Sequence, residues 1–151
     1  DNTGMAVTID VGNPQDVHPT NKQDVGYRLA LVARAKTYGE KIPYAGPMYH
    51  SHKIIGNKIK ISFNYVENGL KIKDGNTLKG FSVAGPDRKF YWADAVIVNN
   101  EVIVSSPNVP FPIAVRYAWA GSAICNLYNT ANRPAAPFRT DDWPGVSVGN
   151  K

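Results

Sequence analysis

The stretch Lys58–Tyr65 reads Lys-Ile-Lys-Ile-Ser-Phe-Asn-Tyr, and its unbroken alternation of polar and apolar residues sets the fold class. Successive side chains of a β-strand point to opposite faces, so the alternation predicts a strand with one face in a core and the other in solvent. Leu70 and Ile72 continue the pattern after Asn68-Gly69. Because this dipeptide suits a tight turn, we expect a hairpin there.

The same signals recur further along the chain. Ala95–Val98 and Val102–Val104 are short apolar runs on either side of Asn99-Asn100, and asparagine tolerates the positive φ that a two-residue turn needs. Ile113–Trp119 has the composition of a further strand. About six to eight short strands separated by Gly, Pro and Asn turns predict a mainly β fold, an antiparallel β-sandwich of jelly-roll type.

The N-terminal part has a different pattern. Met5–Val11 predicts a short buried strand, and the loop after it ends at Pro19. Apolar residues at helical spacing predict a helix over Asn21–Tyr38, with Thr20 as the N-cap and Gly39 as the residue that ends it. A strand, a loop and a helix in this order are typical of the last unit of an α/β layer.

We therefore expect two parts. Residues 1–42 would be the strand, loop and helix at the end of an α/β domain, and residues 43–151 a β-sandwich accessory domain with an irregular tail. One strand and one helix cannot enclose a core, so the first part is expected to pack on the β-domain or on a domain outside the chain.

The composition excludes some partners. The formal net charge is +5, but the lysines are scattered and several alternate with apolar residues, as on the solvated face of a sheet. Without a charge run or a recognition motif, we predict no nucleic-acid partner. No apolar stretch approaches the roughly 20 residues of a membrane span, so we predict no membrane partner. The chain lacks an initial Met and a signal-peptide pattern, and we expect a fragment cut from a longer protein.

The stretch Asp16-Val17-His18-Pro19 carries the chemistry that the sequence suggests. A histidine held on a loop between a strand and a helix suits a general base. A carboxylate at Asp16 could accept from Nδ1–H of His18 and leave Nε2 free to take a proton from a hydroxyl. Judged on these two residues alone, a plain loop histidine beside a turn-forming aspartate is the commoner interpretation.

The segment around this motif resembles a known family. Val7–Tyr49 resembles the end of the catalytic domain in the sialate O-acetylesterases, which are SGNH (GDSL-like) hydrolases, and Leu127–Gly145 resembles the end of the same family. The resemblance implies that His18 is the histidine of a Ser-His-Asp triad and Asp16 its acid partner. The usual SGNH signature places the acid three residues before the histidine, where this chain has Gln15.

The resemblance also implies an activity. The whole enzyme would remove O-acetyl groups from sialic acid or related sugars through an acetyl-enzyme, without a metal or cofactor. By the same resemblance, the nucleophile would stand in an N-terminal Gly-x-Ser block of the family, accompanied by Gly and Asn blocks that supply oxyanion donors. Ser82 lies in a strand pattern, and no serine of this chain sits in such a set of blocks: Ser51, Ser62, Ser82, Ser105, Ser106, Ser122 and Ser147. We therefore expect the serine on an N-terminal part of the same esterase, an inactive chain when alone, and a periplasmic or secreted location. The alternative is a non-catalytic β-sandwich module that binds carbohydrate or packs on another domain.

Two further features carry weaker signals. His50 and His52 alternate and could face one side, but no carboxylate or cysteine lies close in sequence to complete a zinc site, so we predict no metal. Trp92, Trp119 and Trp143 could stack against sugars, although aromatic residues in strands more often supply core area.

Overall fold

The computed structural model describes residues 3–145 and 148. Ser147 and the last residues of the predicted irregular tail therefore lie outside the described part. Within it the chain forms one helix, α1 (Lys22–Lys36), and ten strands: β1 (Met48–Ile55), β2 (Lys58–Asn64), β3 (Leu70–Ile72), β4 (Phe81–Ala84), β5 (Phe90–Trp92), β6 (Asp94–Val98), β7 (Glu101–Ser105), β8 (Ala114–Tyr117), β9 (Leu127–Asn129) and β10 (Phe138–Arg139).

The strands form three sheets. One four-stranded sheet has the order β1-β2-β7-β6, another has the order β10-β8-β4-β5, and β3 pairs with β9 in a two-stranded sheet. Every pairing between these strands is antiparallel. The prediction of a mainly β fold with antiparallel sheets is confirmed.

The two four-stranded sheets share one hydrophobic core. Ile59, Ile61 and Phe63 of β2 enter it, as the alternation of Lys58–Tyr65 predicted. Phe138 on β10 joins the sheets, because its ring centroid lies 4.9 Å from that of Tyr49 on β1 and 6.0 Å from that of Tyr117 on β8. The core is completed by Val83, Ala95, Val102, Val104 and Val115, among others.

One predicted hairpin is confirmed and the other is wrong. Asn99 and Asn100 have φ values of 50° and 61° and join β6 to β7 in a tight turn. After β2, by contrast, Tyr65 and Glu67 take positive φ and turn the chain away. The strand that follows Asn68-Gly69 therefore pairs with β9 instead of β2, and the amide of Thr130 donates to the carbonyl of Gly69.

The predicted strand Met5–Val11 is also wrong. No other described strand pairs with it, and a strand exists only through such pairing. The helix is confirmed to within two residues at each end, but its N-cap is Asn21, not Thr20: the Asn21 side chain accepts from the amide of Asp24. Gly39 lies beyond the helix at φ 72°, as the helix-ending role requires. The division of the chain after residue 42 stays a prediction.

We expect Phe138→Ala to lower the free energy of unfolding by about 3–5 kcal/mol, because it opens a cavity where the two sheets meet. Urea denaturation measures the change. Phe111→Ala is the matched control, since Phe111 is 74% exposed and its removal should change stability by no more than about 0.5 kcal/mol. Equal losses in the two variants would contradict a shared core centred on Phe138.

Candidate active site

The loop that carries His18 is shaped by its own short polar side chains. The amide of Gln15 donates to Oδ1 of Asn13 at 3.0 Å, and the amide of Asp16 donates to the Asn13 carbonyl at 3.3 Å. These bonds close a turn over residues 13–16. Asp16 forms a second turn, in which its Oδ1 accepts a hydrogen bond from the amide of His18 at 2.8 Å. The chain reaches the Asn21 cap directly after this second turn.

The structure brings His18 and Asp16 together. Nδ1 of His18 lies 3.4 Å from Oδ1 of Asp16, while Nε2 has no hydrogen-bond partner among the described residues. The imidazole is 86% exposed. It is therefore not a core histidine held by the rest of the chain, and its free nitrogen faces outward. The geometry thus pairs an exposed imidazole with a carboxylate, and no group of the described loop bonds to the second ring nitrogen.

No serine or cysteine among the described residues completes the site as a nucleophile. No described serine hydroxyl forms a hydrogen bond with His18; Ser62 Oγ donates instead to Glu101, and Ser106 Oγ is buried without a partner. Burial raises the pKa of the Cys125 thiol, which disfavours the reactive thiolate. This agrees with a packing role for Cys125.

A buried ion pair attaches the base of this loop to α1. The guanidinium of Arg28 makes a two-pronged contact with the Asp10 carboxylate, with Nη2 to Oδ2 at 2.7 Å, and also donates to the carbonyl of Val7 at 2.7 Å. The two charged side chains are only 9% and 8% exposed. Tyr128 on β9 completes the group by donating its hydroxyl to Oδ2 of Asp10 at 2.7 Å. We call Asp10, Arg28 and Tyr128 the clasp.

The clasp shifts the ionisation of its members. Burial by itself would raise the pKa of Asp10, but the hydrogen bonds from Arg28 and Tyr128 and the positive charge of Arg28 outweigh it, so the pKa is lowered. The pKa of Tyr128 is raised, because burial and the neighbouring carboxylate oppose a phenolate. Asp10 is thus ionised and Tyr128 protonated at neutral pH. Sequence reasoning missed this group, although Arg28 interrupts the apolar stripe of α1 between Val25 and Val32.

A second contact joins the helix to the β-domain. The guanidinium of Arg133 lies over the ring of Tyr27 at 4.9 Å and donates to the Tyr27 hydroxyl at 3.2 Å. The helix therefore packs on the loop after β9 as well as on β9 itself. The sequence left open whether residues 1–42 pack on the β-rich part or on a domain outside the chain, and these contacts are with the β-rich part.

The two histidines of β1, His50 and His52, contact different side chains. A bulge interrupts the pairing between Tyr49 and Ser51, and His52 Nδ1 lies 2.7 Å from the Tyr49 hydroxyl. His50 Nδ1 lies 3.5 Å from Nδ2 of Asn64. In the part of the chain that the structure describes, no three His, Cys, Asp or Glu side chains come together as metal ligands. Nor does that part contain a helix long and apolar enough to cross a membrane.

The three tryptophans divide into two kinds. Trp143 packs on Phe90 with ring centroids 5.6 Å apart, while Asp141 binds Arg116 of β8 through two hydrogen bonds of 2.6 and 2.8 Å. These contacts hold residues 141–143 against the sheet with the order β10-β8-β4-β5. Trp92 and Trp119 instead expose 69% and 51% of their surface, so neither supplies core.

Comparison with known proteins first defines a class. No family model matches the chain. A solved carbohydrate acetylesterase from Xanthomonas citri, XAC1771, superimposes on 91% of this chain with a TM-score of 0.88 and 45% sequence identity. The fold of this chain is thus one found within a carbohydrate acetylesterase.

Comparison with curated proteins gives a narrower class than the solved structure does. The chain is similar to sialate O-acetylesterases, with 31% identity to the Homo sapiens protein over 95% of the chain and 31% to the Mus musculus protein over 91%. The resemblance to the sialate O-acetylesterases is confirmed, while its placement at the C-terminal end of these proteins stays a prediction. The chain spans only 31% and 28% of these two relatives, and 32% of the solved Xanthomonas citri chain.

We expect Tyr128→Phe to lower the free energy of unfolding by about 1.5–3 kcal/mol, because it removes a hydrogen bond to a buried carboxylate. Urea denaturation gives this value, and hydrogen exchange should show faster exchange of α1 amides. Tyr38→Phe is the matched control, since Tyr38 is exposed. A Tyr128→Phe chain as stable as the control would contradict the clasp.

The lowered pKa of Asp10 gives the stability a defined pH dependence. A depressed folded pKa contributes stability above the ordinary value near 4, and the contribution is lost as the pH falls through the folded pKa. We expect Asp10→Asn to destabilise the protein at pH 7, and we expect this loss of stability to shrink progressively as the pH falls below about 4, in urea titrations run from pH 7 down to pH 2. Asp142→Asn, which changes an exposed carboxylate, should show no such difference. A pH-independent loss in Asp10→Asn would contradict the assignment.

Proposed function

We propose that this chain is part of an acetylesterase that removes O-acetyl groups from sialic acid or related sugars, with His18 as general base and Asp16 as the group that orients it. The observation that carries the proposal is the exposed His18 imidazole beside Asp16, on a loop whose base is attached to α1 and β9 by the clasp. The similarity to sialate O-acetylesterases and to a carbohydrate acetylesterase supports the reaction class. A non-catalytic module would leave this pair without a role.

The reaction needs a serine from a part of the protein outside this chain. Its Oγ would attack the acetyl carbonyl while Nε2 of His18 takes the hydroxyl proton. The tetrahedral intermediate would collapse to an acetyl-serine, and His18 would return the proton to the departing sugar oxygen. A water molecule, deprotonated by His18, would then release acetate and restore the serine. Asp16 would stabilise the imidazolium through Nδ1.

The 3.4 Å contact between Nδ1 and Oδ1 is long for a working hydrogen bond, and the imidazole has no other support in the described residues. We propose that the ring is ordered when the serine-bearing part covers the loop. Catalytic hydrogen bonds often tighten only in the assembled complex. The periplasmic or secreted location implied by the resemblance stays a prediction.

The experiment compares the chain by itself with the whole gene product. The isolated chain should hydrolyse 4-nitrophenyl acetate no faster than its His18→Ala variant, because a base without nucleophile and oxyanion donors supplies little rate. In the whole gene product we expect His18→Ala to lower kcat by ~10²–10⁴-fold, the range of general-base catalysis. A wild-type kcat in that variant, or a clear rate difference between the two isolated chains, would overturn the proposal.

The same assay tests the acid. Asp16→Asn should lower kcat in the whole gene product, and Gln15→Ala is the matched control on the same turn. If Gln15→Ala lowered kcat and Asp16→Asn did not, Asp16 would lose its assigned role.

A further inference from the structure

A cleft of about 490 Å³ opens beside Trp92, at the point where β5 ends. The indole forms one wall and is 69% exposed. Residues 120–124, of the loop of residues 119–124, also line it, and the side chain of Ile124 is exposed there. The buried side chains of Leu78 and Phe81 contribute to the lining as well. The cleft therefore combines an exposed indole with apolar side chains from three other segments.

The cleft is held open by a close backbone approach. Gly80 has φ 97°, and a Cβ added there would lie 2.8 Å from Cβ of Cys125 and 3.2 Å from the Ile124 carbonyl. Only glycine permits both the conformation and the contact at this position. The loop is thus seated on the start of β4, and its position relative to Trp92 follows from that contact.

The polar groups of the cleft suit a ligand with hydroxyl groups. Asp94 and Lys79 line it, and neither side chain forms an ion pair with another described residue. No backbone amide or carbonyl of residues 119–124 bonds to a described backbone group outside this loop. Carboxylate, ammonium, amides and carbonyls together can serve a ligand that both donates and accepts.

The charges decide among ligand classes. One carboxylate and one ammonium leave the cleft without a net charge, which disfavours a phosphate-bearing or strongly anionic ligand. A pyranose ring has an apolar C–H face that can stack on an indole and hydroxyl groups around its edge. We propose that this cleft binds a sugar residue of an uncharged glycan chain.

A second exposed indole extends the site. The loop of residues 119–124 also lines a neighbouring cavity of about 670 Å³, where Trp119 is 51% exposed. The Arg139 guanidinium lies over the Trp119 ring, 5.6 Å from the ring centroid. Ala120 and Gly121 line both cavities, so the spaces beside Trp92 and Trp119 adjoin, and we expect a glycan of several residues to contact both indoles. This site goes beyond the proposed function, because it holds the sugar chain and has no part in acetyl transfer.

The test uses glycans without acetyl groups, so its outcome is independent of esterase activity. The full chain is run on native gels containing hydroxyethylcellulose, galactomannan or arabinoxylan, and its tryptophan fluorescence is titrated with the matching tetrasaccharides. We expect at least one glycan to retard the wild-type chain. Trp92→Ala should weaken that binding ten-fold or more, Trp92→Tyr should restore part of it, and Phe111→Ala should leave it unchanged.

The other outcomes overturn the proposal. Absence of binding to every glycan would do so, as would equal losses in Trp92→Ala and the Phe111→Ala control. Sedimentation velocity separates the remaining case: self-association that Trp92→Ala abolishes would show that the cleft docks polypeptide instead. Circular dichroism of each variant confirms that it is folded. If the esterase proposal failed while Trp92-dependent binding held, the glycan site would stand by itself.

Discussion

The carboxylate of Asp10 and the guanidinium of Arg28 are both withdrawn from water, and neither charge could remain there without the other. Each partner comes from a different segment, one from the start of the His18 loop and one from the middle of α1. Tyr128 brings in β9 through the same carboxylate oxygen. Three segments are thereby fixed to one point. The described hydrogen bonds of the His18 loop are all short-range, so its position relative to the sheets depends on this point and on the packing of α1.

The β-domain is organised by a different principle. Its two larger sheets are fixed by apolar burial, with Phe138 in contact with rings from both. Such a core requires close packing of its side chains, but it does not require charged side chains to be paired. The molecule thus combines a nonpolar core that holds the sheets with a small polar group that positions the candidate catalytic loop. The stability that the clasp contributes depends on pH, whereas the stability that the nonpolar core contributes does not.

Local patterns predicted those features that local chemistry decides. The alternation around Ile59 and Ile61 identified a strand, and Asn99-Asn100 identified a turn, because each signal lies within a few residues. His18 and Asp16 were paired from the sequence for the same reason, with the help of the family resemblance. The hairpin at Asn68-Gly69 failed because the partner of β3 is β9, which lies more than fifty residues further along the chain. No turn dipeptide contains that information.

The remaining errors have the same origin. Met5–Val11 has the composition of a strand, yet a strand also needs a neighbour, and composition does not show whether one is present. The clasp joins residues 18 and 118 positions apart, so its members look unrelated in the sequence. The cleft beside Trp92 likewise needs residues 120–124, which lie far from Trp92 in the sequence. Long-range contacts of this kind decide the candidate sites, whereas the secondary structure is set mainly by short-range ones.

The hydroxyl of Tyr128 links the evolutionary history of the two parts of the chain. A recombination event that replaced the β-domain would leave the Asp10–Arg28 pair without its third member and expose it on that side to solvent. A new domain would have to supply a donor at the same place before the loop regained its position. The helix segment and the β-domain are therefore expected to be inherited as a unit. Exchanges between related genes should have their boundaries outside the span from Asp10 to Tyr128.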